Sequence, residues 1–218
     1  MRTRFAVGLF VVLFVAVGGM WAGIVPITNP SFELPAQTPP GPVLFAPTGW
    51  TVTGSPDGAF LPPAGTWPSL PQGTQAGYSN GQIVSQILTT DIAPNTTYTL
   101  SVWVSTRTTT GDVFNPTIEL LDGSTPIITM TTSTPGLPMP VFVPPDGTNG
   151  YYTWVDWVGT YTSGPTVDGD PLEISLGASA AQSDFDEVSL YTGTPEPAMF
   201  ALVGAGLLGL VTRRRFAK

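Results

Sequence analysis

Hydrophobic and polar positions alternate along most of the chain with a period of two. Between Thr97 and Ser105, Tyr98, Leu100, Val102 and Val104 fall on one side, while Thr99, Ser101 and Trp103 fall on the other. Such a pattern predicts a half-buried β-strand. In Gln82–Leu88, Ile83 and Ile87 stand opposite Val84 and Leu88. Ile118–Leu121 and Pro126–Thr131 flank Asp122-Gly123, which suits a hairpin turn. Further strands are predicted at Trp50–Gly54, Trp154–Tyr161, Leu172–Leu176 and Phe185–Tyr191. Pro35–Gly49, Ser55–Gly77 and Ser133–Gly150 are rich in proline and glycine and read as long surface loops. No window from Ile24 to Thr194 has a capped helical period. The expected architecture is all-β, a two-sheet antiparallel β-sandwich of the jelly-roll kind.

The two ends depart from this pattern. Arg2 and Arg4 precede an apolar run from Phe5 to Val17, and small residues follow, which is the layout of a secretory signal peptide over residues 1–23. Cleavage is expected between Gly19 and Gly23. At the other end Pro195-Glu196-Pro197 leads into an apolar run, Met199–Val211, closed by Arg213, Arg214 and Arg215. Thirteen helical residues span only about 20 Å, short for a hydrocarbon core of roughly 30 Å. The arginines nevertheless suit a cytoplasmic membrane face, to which their long stems can snorkel. A short transmembrane helix is therefore expected over 198–212. Ala201, Ala205 and Gly209 give it a small-residue face.

This order of Pro-Glu-Pro, apolar helix and arginine cluster resembles the PEP-CTERM sorting signal over residues 194–218. The resemblance implies recognition by an exosortase-type sorting enzyme in a polysaccharide-producing bacterium. It implies export across the inner membrane, transient membrane insertion through the C-terminal helix, then display at the cell surface or release.

The charge of the intervening domain, residues 24–193, sharpens the picture. It holds one base, Arg107, against fourteen acids, a net charge of −13. Nucleic-acid binding is excluded, and cations should be attracted. There is no cysteine and no histidine, so disulfides and any serine–histidine or cysteine–histidine mechanism are excluded by inventory.

A second resemblance rests on Asn29-Pro30-Ser31-Phe32-Glu33, Gly49-Trp50, Gln86, Asn95-Thr96-Thr97-Tyr98 and Asp184-Phe185-Asp186-Glu187-Val188-Ser189-Leu190. These look like galactose-binding-like, carbohydrate-binding-module jelly rolls. The resemblance implies that the first and last strands are neighbours and bring Glu33 near Asp184 and Asp186, a candidate structural calcium site. Carboxylates and carbonyls satisfy calcium without histidine; the same acids would otherwise cap strand ends. Asp168, Asp170 and Glu173 read as a solvated turn.

Aromatic side chains are the candidates for ligand contact, because a flat ring can stack on a sugar. Trp67, Tyr78, Trp103, Trp154 and Trp157 are the residues to locate; the alternative for each is core packing. Glu119 and Glu173 are the only strand-borne glutamates well inside the domain, and their spacing does not single out a hydrolytic pair. The expectation is a non-enzymatic surface or matrix protein with a structural or adhesive role in extracellular polysaccharide. The alternatives are a glycan-binding module with a defined site and, third, a glycoside hydrolase.

Overall fold

The computed structural model describes residues 23–38, 41–43, 46–54, 57–107, 114–144, 151–179 and 182–193. The expected signal peptide falls outside these but for Gly23, and the whole sorting tail, including Pro195, Glu196, Pro197 and Arg213–Arg215, falls outside them. In chain order the strands are β1 (Gly23–Ile24), β2 (Gly41–Val43), β3 (Thr51–Val52), β4 (Gly58–Leu61) and β5 (Ala76–Ser79). Then come β6 (Ile83–Asp91), β7 (Thr97–Ser105), β8 (Pro116–Asp122), β9 (Thr125–Thr131) and β10 (Phe142–Val143). Last are β11 (Tyr151–Tyr152), β12 (Val155–Thr162), β13 (Pro171–Ala178) and β14 (Ser183–Gly193).

They form the expected two-sheet antiparallel sandwich. One sheet runs β12-β7-β14-β5-β4-β2, with β1 also on β14; the other runs β3-β6-β13-β8-β9. A two-stranded hairpin, β10-β11, stands apart from both. The alternation that predicted β7 is the reason it works. Tyr98, Leu100, Val102 and Val104 are buried, and they meet Ile118, Leu120, Ile174 and Leu176 of the opposing sheet in one core. β6 behaves alike: Val84 and Leu88 go inward while Ile83 and Ile87 face outward. Where β12 approaches β9, a Cβ on Gly159 would lie 2.6 Å from the Ile128 side chain. Only glycine permits that spacing.

The Asn29–Glu33 segment is a structural staple. Asn29 exchanges side-chain hydrogen bonds with the Leu34 backbone, at 2.8 and 3.0 Å. Its carbonyl accepts the Trp50 indole N–H at 3.0 Å. Gln86 pairs with the Thr28 backbone through both amide atoms, at 2.7 and 2.9 Å, completing a buried polar group in the manner of a strand partner. Val188 N donates to Pro30 O and Val25 N to Leu190 O, so the start of the domain runs beside its last strand. Together these bonds tie the two ends of the domain to each other.

Candidate functional site

Alternation on the central strand pair also defines an outer face. Val102, Val104 and Phe185 enter the core, so Trp103 and Ser105 of β7 and Asp184 and Asp186 of β14 look the other way. In the register of the sheet Asp184 lies opposite Ser105 and Asp186 opposite Trp103. On the far side of β7, Asp156 of β12 also lies opposite Trp103. Trp103 is thus flanked by a carboxyl on each neighbouring strand.

Two segments cover part of this face, the chain between β4 and β5 and the β10–β11 hairpin. Phe60, Trp67, Ala76 and Tyr78 form a second buried cluster, against which Leu70, Tyr151 and Trp154 pack. Trp67 and Trp154 have ring centroids 5.2 Å apart, tilted by 50°. Tyr78 meets Phe60 edge-on at 5.5 Å. Beside the cluster opens a cavity of about 370 Å³, lined chiefly by Trp67, Leu70, Trp103, Tyr151, Tyr152 and Trp154. That volume lies at the small end of the range for ligand pockets. Two indoles tilted by 50° make converging walls and not a flat platform.

Ser105 joins the wall to the strands below. Its hydroxyl accepts the Trp67 indole N–H at 3.2 Å and donates to Tyr152 O at 3.3 Å. Asp184, its cross-strand neighbour, is fully buried. One of its oxygens accepts from Gln182 Nε2 at 2.6 Å; the other is buried without a hydrogen-bond partner. Burial raises the Asp184 pKa to about 7, and the Gln182 hydrogen bond and Arg107 charge only partly oppose it. Arg107 is held to one side, donating to Gln182 Oε1 at 3.1 Å with its guanidinium 5.0 Å from the Phe60 ring centre.

The strap carrying Trp67 and Leu70 is clamped by two acids. Glu33 Oε1 accepts from the backbone N–H of Thr74 and Gln75 at 2.7 and 2.8 Å, and Oε2 from the Thr74 hydroxyl at 3.1 Å. Asp186 accepts from Gln72 N at 2.9 Å and from Glu187 N at 2.7 Å. Burial lifts the Asp186 pKa to about 7, against the pull of those N–H groups and with help from the Glu33 charge.

The expected calcium residues are therefore divided. Glu33 and Asp186 grip one loop, with their oxygens already engaged by protein donors, whereas Asp184 turns to Gln182. Among the described residues no group of three or more acids is arranged to hold a metal ion.

Of the expected aromatics, Trp67, Trp103 and Trp154 meet at the cavity. Tyr78 is buried in the cluster behind them. Trp157 is a correction: it is fully buried in the main core, donates to Pro138 O at 2.6 Å and packs edge-on to Phe114. It belongs to the inward face of β12, so no ligand reaches it. Glu119 and Glu173 lie on the opposite sheet, on β8 and β13, away from the cavity. Ser105, Arg107 and Gln182 were not singled out by sequence; only Arg107, the lone base of the domain, offered a signal.

Comparison with known proteins follows this geometry. The sequence model of the HpiC1-like family, described as HpiC1 cyclase, matches residues 24–191. The PEP-CTERM protein-sorting motif matches residues 194–215. No curated protein gives a match. The Stig cyclase Fisc from Fischerella sp. TAU, solved with (3Z)-3-(1-methyl-2-pyrrolidinylidene)-3H-indole, is 21% identical with a TM-score of 0.63, covering 81% of this chain and 100% of its own. A Fischerella sp. TAU cyclase solved with 4-(1H-indol-3-yl)butan-2-one is 20% identical with a TM-score of 0.62, over 81% of this chain and 100% of that one. The CBM22-1 xylan-binding domain of Paenibacillus barcinonensis Xyn10C is 18% identical with a TM-score of 0.45, covering 81% and 97%. The expectation of a non-enzymatic domain is overturned by the cyclase family match. That expectation equated catalysis with histidine, cysteine or paired glutamates, and a single buried carboxylic acid needs none of them.

Proposed function

The chain belongs to the HpiC1-like cyclase family, and on that premise we propose that it is an exported ring-closing enzyme acting on one small ring-bearing molecule. The observation that supports this reading is the pairing of an aromatic-walled cavity of about 370 Å³ with a buried carboxyl, its pKa raised to about 7, one strand away from its wall. Trp67, Trp103 and Trp154 orient the substrate and exclude water. Asp184 is the acid. Ser105, hydrogen-bonded to Trp67 and Tyr152 of the wall, lies opposite Asp184 in the register; directly opposed side chains stand roughly 5 Å apart.

A ring closure by isomerisation needs no co-reactant. One new σ bond replaces a π bond, the proton lent by Asp184 adds at one carbon, and a proton lost from another returns to the carboxylate. An acid with a pKa near ambient pH suits both halves of that exchange. In this reading the chain is held by the membrane until exosortase processing and then acts at the cell surface, which the PEP-CTERM motif supports. A second reading, polysaccharide binding with an adhesive role, is favoured by the open part of the same sheet face. There Ser101, Val158 and the exposed Tyr191 continue outward from Trp103.

The test titrates the processed chain with 4-(1H-indol-3-yl)butan-2-one, following tryptophan fluorescence. Saturable binding that Trp103→Ala abolishes is expected. Indole-bearing polyenes should then be converted without change of mass, and Asp184→Asn should stop the conversion. Absence of indole binding together with tight binding of xylo-oligosaccharides would replace this reading with the second.

A further inference from the structure

From the apolar side chains that the sheet of β12, β7, β14 and β1 leaves uncovered, we infer that its outer face rests on the lipid bilayer while the chain keeps its sorting tail, which sets the cavity beside the lipid. This rests on the reading that the tail holds the chain in the membrane. β14 ends at Gly193, and the apolar run of the tail begins at Met199. Six residue steps span at most about 22 Å when fully extended, so the end of β14 stays close to the bilayer. The cavity lies further along the sheet. Gly193 is opposite Thr97, and from there to Trp103 is roughly 20 Å of strand. Such a tether alone permits the sheet to stand upright or to lie flat.

The distribution of exposed apolar groups selects the flat orientation. Val25, Leu190 and Trp157 point into the core, so Ile24, Tyr191 and Val158 look outward, at 74%, 41% and 45% exposure. Ile24 is in register with Tyr191. Between Tyr191 and Val158 lie Thr99 and Ser101 of β7, both uncharged. Exposed Met139, Val141 and Phe142 carry apolar surface on to the hairpin, where the Phe142 ring lies 5.4 Å from that of cavity-lining Tyr152. Uncovered apolar surface of this kind marks contacts with partners or membranes, and tyrosine is enriched where a bilayer meets water.

Charge separates this face from the opposite one. Asp184 and Asp186 are fully buried, and Asp156 accepts from the Ser101 hydroxyl at 2.6 Å. On the other sheet Ile87 is also exposed, but Glu173 stands directly beside it in register and Glu119 lies on the next strand. Carboxylates among its apolar residues keep that face in water. The domain, with a net charge of −13, is not drawn to anionic lipid from a distance. The short tether instead supplies a local concentration on the order of millimolar, so a few apolar side chains suffice to settle the face on lipid.

The experiment introduces single cysteines into this cysteine-free chain and labels each with the environment-sensitive fluorophore NBD. The chain with its tail intact is then reconstituted into phosphatidylcholine vesicles with and without doxyl-labelled lipid. Tyr191→Cys and Val158→Cys should each be quenched by the doxyl lipid several-fold more than Ile87→Cys on the opposite sheet. Ala205→Cys, in the tail, reports insertion by itself. If Ala205→Cys is quenched while Tyr191→Cys and Val158→Cys only match Ile87→Cys, the tail is inserted but the face is free, as polysaccharide binding requires, and the inference is overturned. Quenching at Tyr191→Cys without Val158→Cys means an upright domain and overturns it as well. Emission at Val158→Cys that shifts to the blue with protein density and ignores doxyl lipid assigns the face to a second copy instead. If Ala205→Cys escapes quenching, the membrane-held reading fails and this inference falls with it.

Discussion

Replacing Asp184 by Asn should change the shape of the stability–pH curve, and the sign follows from the direction of its shift. The carboxyl has an ordinary value of 3.8 when exposed and is held at about 7 in the folded chain by burial. Below 3.8 both states are protonated and the group contributes no pH dependence. Between 3.8 and about 7 the unfolded chain releases the proton while the folded chain keeps it, so stability falls as pH rises. Above about 7 both are ionised and the loss is complete. Three pH units at about 1.4 kcal/mol each give on the order of 4 kcal/mol as an upper figure, and relaxation around the charge reduces this to about 2–4 kcal/mol. Asn removes that loss at every pH. It also places an NH₂ where an unpartnered oxygen now sits, which costs about 1–3 kcal/mol throughout. The two effects cross: the variant should be less stable than the parent near pH 4.5 and equal or more stable near pH 8. Urea unfolding of the processed chain at pH 4.5, 6 and 8 measures this. Part of the falling slope should persist in the variant, because Asp186 shifts in the same direction. Parallel curves for parent and variant would refute the claim that Asp184 is buried as a neutral acid.

Four further substitutions probe the core and the supports of the site. Glu33→Gln weakens the charge-assisted bonds to Thr74 N and Gln75 N; it should cost about 1–3 kcal/mol and raise the rate of limited proteolysis between Leu70 and Gln75. Gly77→Ala would set a Cβ 2.8 Å from the ring of fully buried Phe32; overpacking of about 1–3 kcal/mol should appear as a lower melting temperature. Trp157→Ala should cost about 3–5 kcal/mol in denaturant unfolding. Trp103→Ala should cost much less in the same assay while abolishing ligand binding, which separates the core indole from the cavity indole.

The legible parts of the fold are those buried on one side. β7 was readable to its last residue because its outward positions are Thr97, Thr99, Ser101 and Trp103 while its inward ones are aliphatic or Tyr98. β5 was invisible for the opposite reason. Ala76, Gly77, Tyr78 and Ser79 are all buried, since Phe32 presses on one face at Gly77 and the Phe60–Trp67 cluster covers the other. A strand covered on both faces has no alternation, and small residues give it no apolar run. β4 and β2 were lost in the same proline- and glycine-rich stretches. The cavity was half legible: its indoles could be named as candidates, but Trp67, Trp103 and Trp154 come from three separate segments that only the sheet register unites. Trp157 was misjudged because its neighbour Trp154 lies before β12 begins, where alternation does not yet apply.

The placement of the lone base explains how an acid can persist beneath the cavity. A guanidinium in direct contact with Asp184 would hold that carboxyl ionised and well below its ordinary range. Here Gln182 stands between them. Its Oε1 accepts from Arg107, and its Nε2 donates to Asp184, so Arg107 fixes the orientation of the amide while its charge is kept one residue away. Phe60 holds the guanidinium in that position from beneath. The attenuated charge lowers the Asp184 pKa, but burial still prevails and leaves it at about 7. The same two strands that bury Val104 and Phe185 against the opposite sheet set the register of Ser105 and Asp184. Any slip of one residue would send both polar groups into the core. The packing of the sandwich and the geometry of the acid are therefore one constraint, enforced from the two faces of a single strand pair.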